Sequence, residues 1–345
     1  PGDPPMRYQR IVLASRPAAE ATVDNFHLET ADTAPLADGQ VLVRHHWLSL
    51  DPYMRMRMND AKSYAAPVAI GATMVGGTAG VVAESRHPGF AVGDAVVGMG
   101  GWAEASVVDA TQKGALRKVE AGDGPGRVPL AAYLGAVGMP GVTAWVGLSM
   151  IIEPKAGETL VVDAASGAVG GVVGQLAKAR GCRVVGIAGG ADKCAYVKDE
   201  LGFDACIDYR GKDFAALAAA LDAAAPGGVD GLFENVGGLI LDVVLSRMNA
   251  FGRIALCGMI AGYDGQPMPL AHPRLLLTQR LKLQGFIVSE HMHLWPAALK
   301  ELGEGVAAGR IRYRETVAPG LAAAPEAFLG LLKGRNFGKQ LVRLA

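Results

Sequence analysis

Two patterns of apolar and polar residues divide the chain. From residue 7 to about residue 125 the apolar residues fall in short, interrupted runs that favour strands. Val41-Leu-Val-Arg-His-His-Trp47 is strand-like, Gly71–Ala83 alternates small and β-branched residues among turn glycines, and Phe90–Gly98 resembles a hairpin of short strands. From Thr159 onward short continuous apolar runs alternate with helical stretches. Strands are expected at Leu160–Asp163, Arg183–Ile187, Cys206–Tyr209, Val229–Phe233, Arg253–Cys257 and Leu281–Ile287. Helices are expected at Val169–Arg180, at Lys193–Leu201 and, Ala-rich, from Asp213. Strands without polar alternation are buried on both faces, which implies a parallel sheet with helices on either side. Six of them fit an α/β, doubly wound, dinucleotide-binding domain.

The turn after the first of these strands is Ala164-Ala-Ser-Gly-Ala-Val-Gly170, followed by Gly171 and Gly174. Its spacing matches the last two glycines of GxGxxG, with Ala165 in the first place. Small residues there let the backbone turn tightly and bring pyrophosphate to the amides at a helix N-terminus, where the dipole favours an anion. The same residues fit the small-x-Ser-x-small pattern of a hydrolase elbow, with Ser166 as nucleophile and His291 or His293 as base. An elbow has no use for Gly170-Gly171, and the dinucleotide reading is preferred. Ser166 is then a turn residue whose hydroxyl meets phosphate or water. At the end of the second strand, Ile187-Ala-Gly-Gly190 offers no acid for a ribose diol, and Lys193 follows. That favours the 2′-phosphate of NADPH over NADH. Asp192 is expected to be the N-cap of the next helix.

Composition narrows the classes. Of the 345 residues 50% are apolar and 19% charged, enough for a sizeable core, and the length suggests two domains. Lys plus Arg equal Asp plus Glu at 33 each, so no general basic surface exists for nucleic acid or for anionic membranes. Four scattered cysteines without a CxxC pair point to a reducing compartment, the cytoplasm. The start, Pro1–Pro5, has no apolar signal-peptide core, and Met6 is read as the native start. Val128–Ile152 is uncharged and long enough to span a bilayer, but its prolines and glycines fit buried chain at a domain junction better.

A series of ordered motifs resembles a known family. They are Asp51-Pro-Tyr-Met-Arg55, Met74-Val-Gly-Gly-Thr78, Tyr133-Leu-Gly-Ala-Val-Gly-Met-Pro-Gly141 with Thr143, Glu234-Asn-Val-Gly-Gly238, Cys257-Gly-Met-Ile-Ala-Gly-Tyr263, Gly285-Phe-Ile-Val288 and Leu332-Lys-Gly-Arg-Asn-Phe-Gly-Lys339. With the Gly-rich turn they resemble the zinc-independent medium-chain dehydrogenases/reductases, in the subgroup of curcumin, alkenal double-bond and prostaglandin reductases. The resemblance implies a GroES-like, β-rich catalytic domain over residues 1–138 and 309–345, with a Rossmann NADPH-binding domain over 139–308. It implies a homodimer joined through the strand that ends near Val288. Residue by residue, it implies that Gly167, Ala168, Val169, Gly170 and Gly171 hold pyrophosphate, and that Lys193 and Tyr209 hold the ribose phosphate. Asn235, Cys257, Gly258, Tyr263, Phe286, Ile287 and Val288 would line the ribose and nicotinamide, with Thr143 and Asn336 also reaching the cofactor.

The ligands of zinc-dependent relatives are missing. Leu50-Asp-Pro-Tyr-Met54 and Gly76-Gly-Thr78 stand where a Cys and a His-Glu pair would be, and no Cys precedes residue 182. His45-His46 is too tight for a chelate, and His291-x-His293 is a lone pair. Without a metal, a double bond conjugated to a carbonyl is an easier target than an alcohol. Hydride from NADPH adds to the β-carbon, charge collects on the enolate oxygen, and a donor is needed there. Tyr263 is the first candidate and Tyr53 the second; a cofactor ribose hydroxyl could do the same work. Trp102, Tyr64 and Met56 are candidates for the walls of a hydrophobic pocket. An NADPH quinone reductase and a non-catalytic NADPH-binding protein are the alternatives.

Overall fold

The computed structural model describes residues 5–345. Most of the Pro1–Pro5 run lies outside the described residues. The chain forms two compact units. One comprises the residues up to Leu134, Glu315–Asn336 and Gln340–Ala345; the other comprises Gly135–Arg314 and Phe337–Lys339. The sequence places the changes of domain at 138/139 and 308/309, whereas the compact units change at Leu134/Gly135 and Arg314/Glu315.

The first unit is β-rich. Strands Arg7–Leu13 and Phe26–Asp32 form an antiparallel pair. A larger sheet runs in the order Glu315–Pro319, Lys339–Arg343, Gln40–Ser49, Thr78–Ser85, Ala95–Gly98, Leu116–Lys118, with Ala105–Asp109 also paired to Gln40–Ser49. The expected hairpin at Phe90–Gly98 is corrected. Only Ala95–Gly98 is a strand, because Asp94 turns the preceding residues into a loop by accepting the Ala91 N–H at 2.8 Å. Trp102 is also corrected from pocket wall to core. It is fully buried, stacked on Phe26 at 5.2 Å and edge-on to Phe328 at 5.6 Å.

The second unit holds a six-stranded sheet. Its strands in chain order are Thr159–Val162, Arg183–Ala188, Ala205–Asp208, Val229–Glu234, Met248–Leu256 and Lys282–Gly285. Every pairing is parallel, and the spatial order is 3-2-1-4-5-6. All four residues of the first strand are buried, as a strand covered on both faces requires. The helix after it spans Gly170–Ala179, and the Ala-rich helix Phe214–Ala224 is capped by Asp213, whose side chain accepts the Ala216 N–H. The uncharged stretch 128–152 breaks into a turn at Leu130–Leu134, a helix at Met139–Val146 and a π-helical turn at Gly147–Ile152. Among the described residues no helix is long and apolar enough to cross a membrane.

His45 lies buried in the first unit's sheet. Its Nδ1 donates to the Ala103 carbonyl at 2.7 Å, so the neutral ring accepts at Nε2 from the Ser106 hydroxyl at 2.8 Å. Burial is the main force lowering its pKa, to about 4, from the usual 6.5. Between these values the unfolded chain binds more protons than the folded one, so stability falls as pH drops. The expected loss from this residue is about 3 kcal/mol between neutral pH and pH 4. Urea unfolding across that range should show a shallower acid limb in His45→Gln than in the wild type.

Candidate active site

The crevice of an open parallel sheet lies at the carboxyl ends of its strands, where the strand order reverses. Here that point falls between the first and fourth strands. Beyond the first strand, Ala164 adopts a left-handed φ of 43°, and the Gly167 N–H closes the turn on the Ala164 carbonyl at 2.9 Å. The chain then enters helix Gly170–Ala179 so close to the turn that a Cβ at Gly170 would lie 2.4 Å from the Ala164 carbonyl oxygen. The helix's first amides thus face the crevice end of the sheet. Ala168 and Val169 lead into this helix, and Gly171 is buried in its first turn. Ser166, also buried, lines a small pocket with Gly167, Ala168, Arg312, Arg314 and Lys339. Gln175 holds that rim by bonding both the N–H and the carbonyl of Arg312, each at 2.8 Å. Arg314 lies between the rings of Tyr196 and Phe337, 4.5 and 4.7 Å from their centres, and pairs with Glu200.

At the end of the second strand the backbone turns through Gly190 at φ 101°. The Asp208 carboxylate, at the end of the third strand, accepts the N–H groups of Gly190 and Arg210 at 2.9 and 3.0 Å. This ties the two strand ends together. Tyr209 and Arg210 lie against Gly189, 3.1–3.2 Å from where a Cβ would stand. Lys193 is half-buried in the first turn of helix Ala191–Asp199, and its pKa is lowered by burial and by the Arg210 charge. Lys193 and Tyr209 are therefore brought to one strand end. Arg210 is a further cation there that sequence reasoning missed, though its place beside Tyr209 was a signal. The Asp192 cap is corrected: the helix begins on Gly190, and Asp192 lies inside the first turn.

The remaining candidates divide between crevice and core. Asn235 turns its side-chain amide onto the Asp163 carbonyl at 3.2 Å. Cys257 and Gly258 follow the fifth strand, and both amides donate to the Glu234 carbonyl. The Tyr263 hydroxyl returns to this loop, 3.0 Å from where a Gly258 Cβ would lie, and accepts the Met259 N–H at 3.4 Å. Phe286 meets Phe233 edge-on at 6.2 Å, and both Phe286 and Val288 pack on the core, while Ile287 is half-buried. The Thr143 hydroxyl donates to the Met139 carbonyl in its own helix at 2.7 Å. Tyr53 and Asn336 belong to the first unit. Tyr53 starts the short helix Tyr53–Arg57, and burial with the nearby Asp51 charge pushes its phenol well above the ordinary range, so it stays protonated. Tyr64 and Met56 are exposed.

A six-stranded sheet of this order, with a glycine turn after the first strand, defines a dinucleotide-binding fold. Family comparison agrees: residues 9–116 match the N-terminal domain of oxidoreductase, and residues 168–304 match the family described as zinc-binding dehydrogenase. The chain is 45% identical to the NADPH-dependent curcumin reductase of Escherichia coli, covering 100% of this chain and 99% of that protein. It is 44% identical to the NADP(+)-dependent 2-alkenal reductase of Nicotiana tabacum, over 90% and 89% of the two chains. The crystal structure of CurA from Vibrio vulnificus in complex with NADPH superposes with a TM-score of 0.90 at 44% identity, over 98% and 99% of the chains. The chain belongs to the medium-chain dehydrogenase/reductase family, in the zinc-independent subgroup of the curcumin and alkenal reductases. Among the described residues no group of three or more His, Cys, Asp or Glu is placed to hold a metal ion.

Gly170→Ala tests the turn. The added methyl meets backbone, which cannot swing aside, so overpacking should cost about 1–3 kcal/mol and displace the helix from the Ala164 turn. The expected result is a lower thermal midpoint together with weakened dinucleotide binding. A variant as stable as the wild type would show that the helix can retreat.

Proposed function

We propose that this protein reduces the carbon–carbon double bond of α,β-unsaturated ketones and aldehydes with NADPH and without a metal ion. The observation that carries the cofactor choice is that the second strand ends without an acid of its own and Lys193, Tyr209 and Arg210 gather there, while the nearby Asp208 carboxylate accepts backbone N–H groups. A lysine whose charge is opposed by burial and by a neighbouring guanidinium gains from a dianionic phosphate beside it. The turn at Gly167–Gly171 fits a pyrophosphate, since Gly170 leaves backbone where a side chain would otherwise stand. Support for the substrate class comes from curcumin and 2-alkenals, which both carry a double bond conjugated to a carbonyl and give the two relatives their names.

NADPH supplies the hydride. The protein's part is to hold the enone and to steady the charge that appears on its carbonyl oxygen. Tyr263 is the donor favoured by position, on the loop beyond the fifth strand with its hydroxyl oxygen already fixed by the Met259 N–H. Tyr53 is the second candidate, kept protonated by burial. Gly167 to Gly171, Lys193, Tyr209 and Arg210 bind the phosphates. Asn235, Cys257, Gly258 and Phe286–Val288 frame the nicotinamide side, with Thr143 and Asn336 as further contacts. In this reading residues 139–308 bind the cofactor, and 1–138 with 309–345 hold the substrate. The protein works as a cytoplasmic homodimer. The edge strand Lys282–Gly285 supports the dimer, since it pairs only with the fifth strand in this sheet and is largely exposed.

The direct test is NADPH oxidation, followed by absorbance, with a panel of enones, enals and quinones. Turnover with enones and enals that withstands prolonged chelation is expected; turnover with quinones alone would overturn the substrate class. Lys193→Ala should weaken NADPH binding by about 10- to 100-fold and barely touch NADH, since a charge-assisted contact to phosphate contributes about 1.5–3 kcal/mol. Arg210→Ala should act in the same direction but less, because its side chain is exposed. Equal weakening of both cofactors would make Lys193 structural. Tyr263→Phe should lower turnover on an enone towards the lower end of the roughly 10²–10³-fold cost of losing one such donor. NADPH affinity should change by no more than about threefold. Full turnover would move the donor role to Tyr53 or to the cofactor.

A further inference from the structure

The carboxyl ends of the first and fourth strands carry two acids, Asp163 and Glu234, to which the cofactor contacts give no role. The strands are adjacent and parallel with Val162 paired to Phe233, so the next residues along, Asp163 and Glu234, stand side by side at the crevice. Both are completely buried. Asp163 Oδ1 accepts the Asn235 N–H at 2.6 Å, and the Asp163 carbonyl accepts the Asn235 side-chain amide. Glu234 Oε1 accepts the N–H groups of Val236 at 2.8 Å and of Gly237 at 2.5 Å. One oxygen on each acid, Asp163 Oδ2 and Glu234 Oε2, meets no donor.

Two buried oxygens on neighbouring carboxyls, neither facing a protein donor, have a simple resolution. A proton held between them gives one acid a donor and removes one of two buried charges. The groups acting on Asp163 are Glu234 and Asn235, not a cation. From the fifth strand the titratable neighbour is the Cys257 thiol, pushed up to about 12 by burial and by the two acids, and therefore neutral. The Tyr263 hydroxyl lies beyond it, at Gly258. Burial and Glu234 also hold the Asp163 carboxyl well above its ordinary range.

We propose that Asp163 and Glu234 share a single proton and act as a positioning pair, locking the Asn235–Gly237 turn to the end of the first strand so that the cofactor crevice is built before NADPH arrives. The binding part of this inference rests on the NADPH reading above. The proton part is measured on the protein without ligand, so the two can fail separately.

Infrared spectra at neutral pH should show a protonated-carboxyl C=O band in the wild type that is lost in Asp163→Asn and in Glu234→Gln. Either amide supplies the bridging hydrogen without titrating. A wild type without the band, or a band that survives both substitutions, overturns the shared proton. Stability supplies a second readout. A carboxyl whose folded pKa is raised loses stability as pH rises towards that pKa, and an amide does not. The urea midpoint of Asp163→Asn should therefore exceed that of the wild type by a margin that widens as pH rises above the ordinary carboxylate range. The ratio of unfolding constants should grow by up to about tenfold per pH unit. Cys257→Ala should leave the slope of the wild type in place; a margin independent of pH, or a slope that vanishes with Cys257, overturns the assignment. For positioning, NADPH titration by fluorescence should find Asp163→Asn within about threefold of the wild type. Asp163→Ala, which strips Glu234 of its partner and the Asn235 N–H of its acceptor, should be weaker by about tenfold or more. If the alanine variant does not fold, Asp163→Ser takes its place. Unchanged NADPH affinity in a folded variant of either kind overturns the positioning role.

Discussion

How closely a helix can approach a strand decides the geometry of the cofactor-binding unit. At Gly170 the approach is to backbone: the Ala164 carbonyl occupies the space a side chain would need. One turn on, a Cβ at Gly174 would fall 1.8 Å from the ring of Phe203, which is itself buried. Interiors are close-packed and do not absorb such overlaps. The helix can lie at this depth only because both positions lack side chains, and the tight Ala164 turn, with its left-handed residue, is the shape the chain takes to reach it. Everything that faces the crevice, from the first helical amides to the Ser166 hydroxyl, takes its place from this contact.

The second determinant is charge at the strand ends. Asp208 accepts two backbone amides, which fixes the turn that Lys193 and Arg210 flank. At the switch point the balance is reversed: two acids lie where no cation meets them, and backbone amides alone address their inner oxygens. The same sheet thus carries a cationic corner at the ends of its second and third strands and a buried pair of acids at the ends of its first and fourth.

The sheet was legible because its signal is local. Strands covered on both faces are continuous apolar runs, and the Ala-rich helix starts from a recognisable cap, Asp213, although the helix after the second strand starts on Gly190 and not on Asp192. The β-rich unit was harder to read. In Phe90–Gly98 the apolar spacing suits two strands, but Asp94 commits the first half to a turn, and a side-chain-to-backbone bond leaves no trace in periodicity. Trp102 was misplaced because an aromatic ring looks alike in a pocket wall and in a core. At the candidate site, spacing and family motif pointed to Lys193 and Tyr209, which the fold brings to one strand end. Arg210 was missed: its place beside Tyr209 hinted at it, but its value depends on the third strand lying beside the second. Asp163 and Glu234 belong to strands far apart in the chain, and each alone reads as an ordinary residue at a strand end. Only the parallel register makes them neighbours.

Both compact units are completed by the last residues of the chain. Strand Lys339–Arg343 pairs with Gln40–Ser49 in the β-rich unit, and Phe337 supplies one of the two rings that enclose Arg314 in the other. Loss of residues 337–343 would therefore act on both units at once: the β-rich sheet would be left with an open edge at Trp47–Ser49, and the Tyr196–Arg314 stack would lose its outer ring. One short segment thus sets the stability of two cores, and neither unit can be trimmed there without injuring the other.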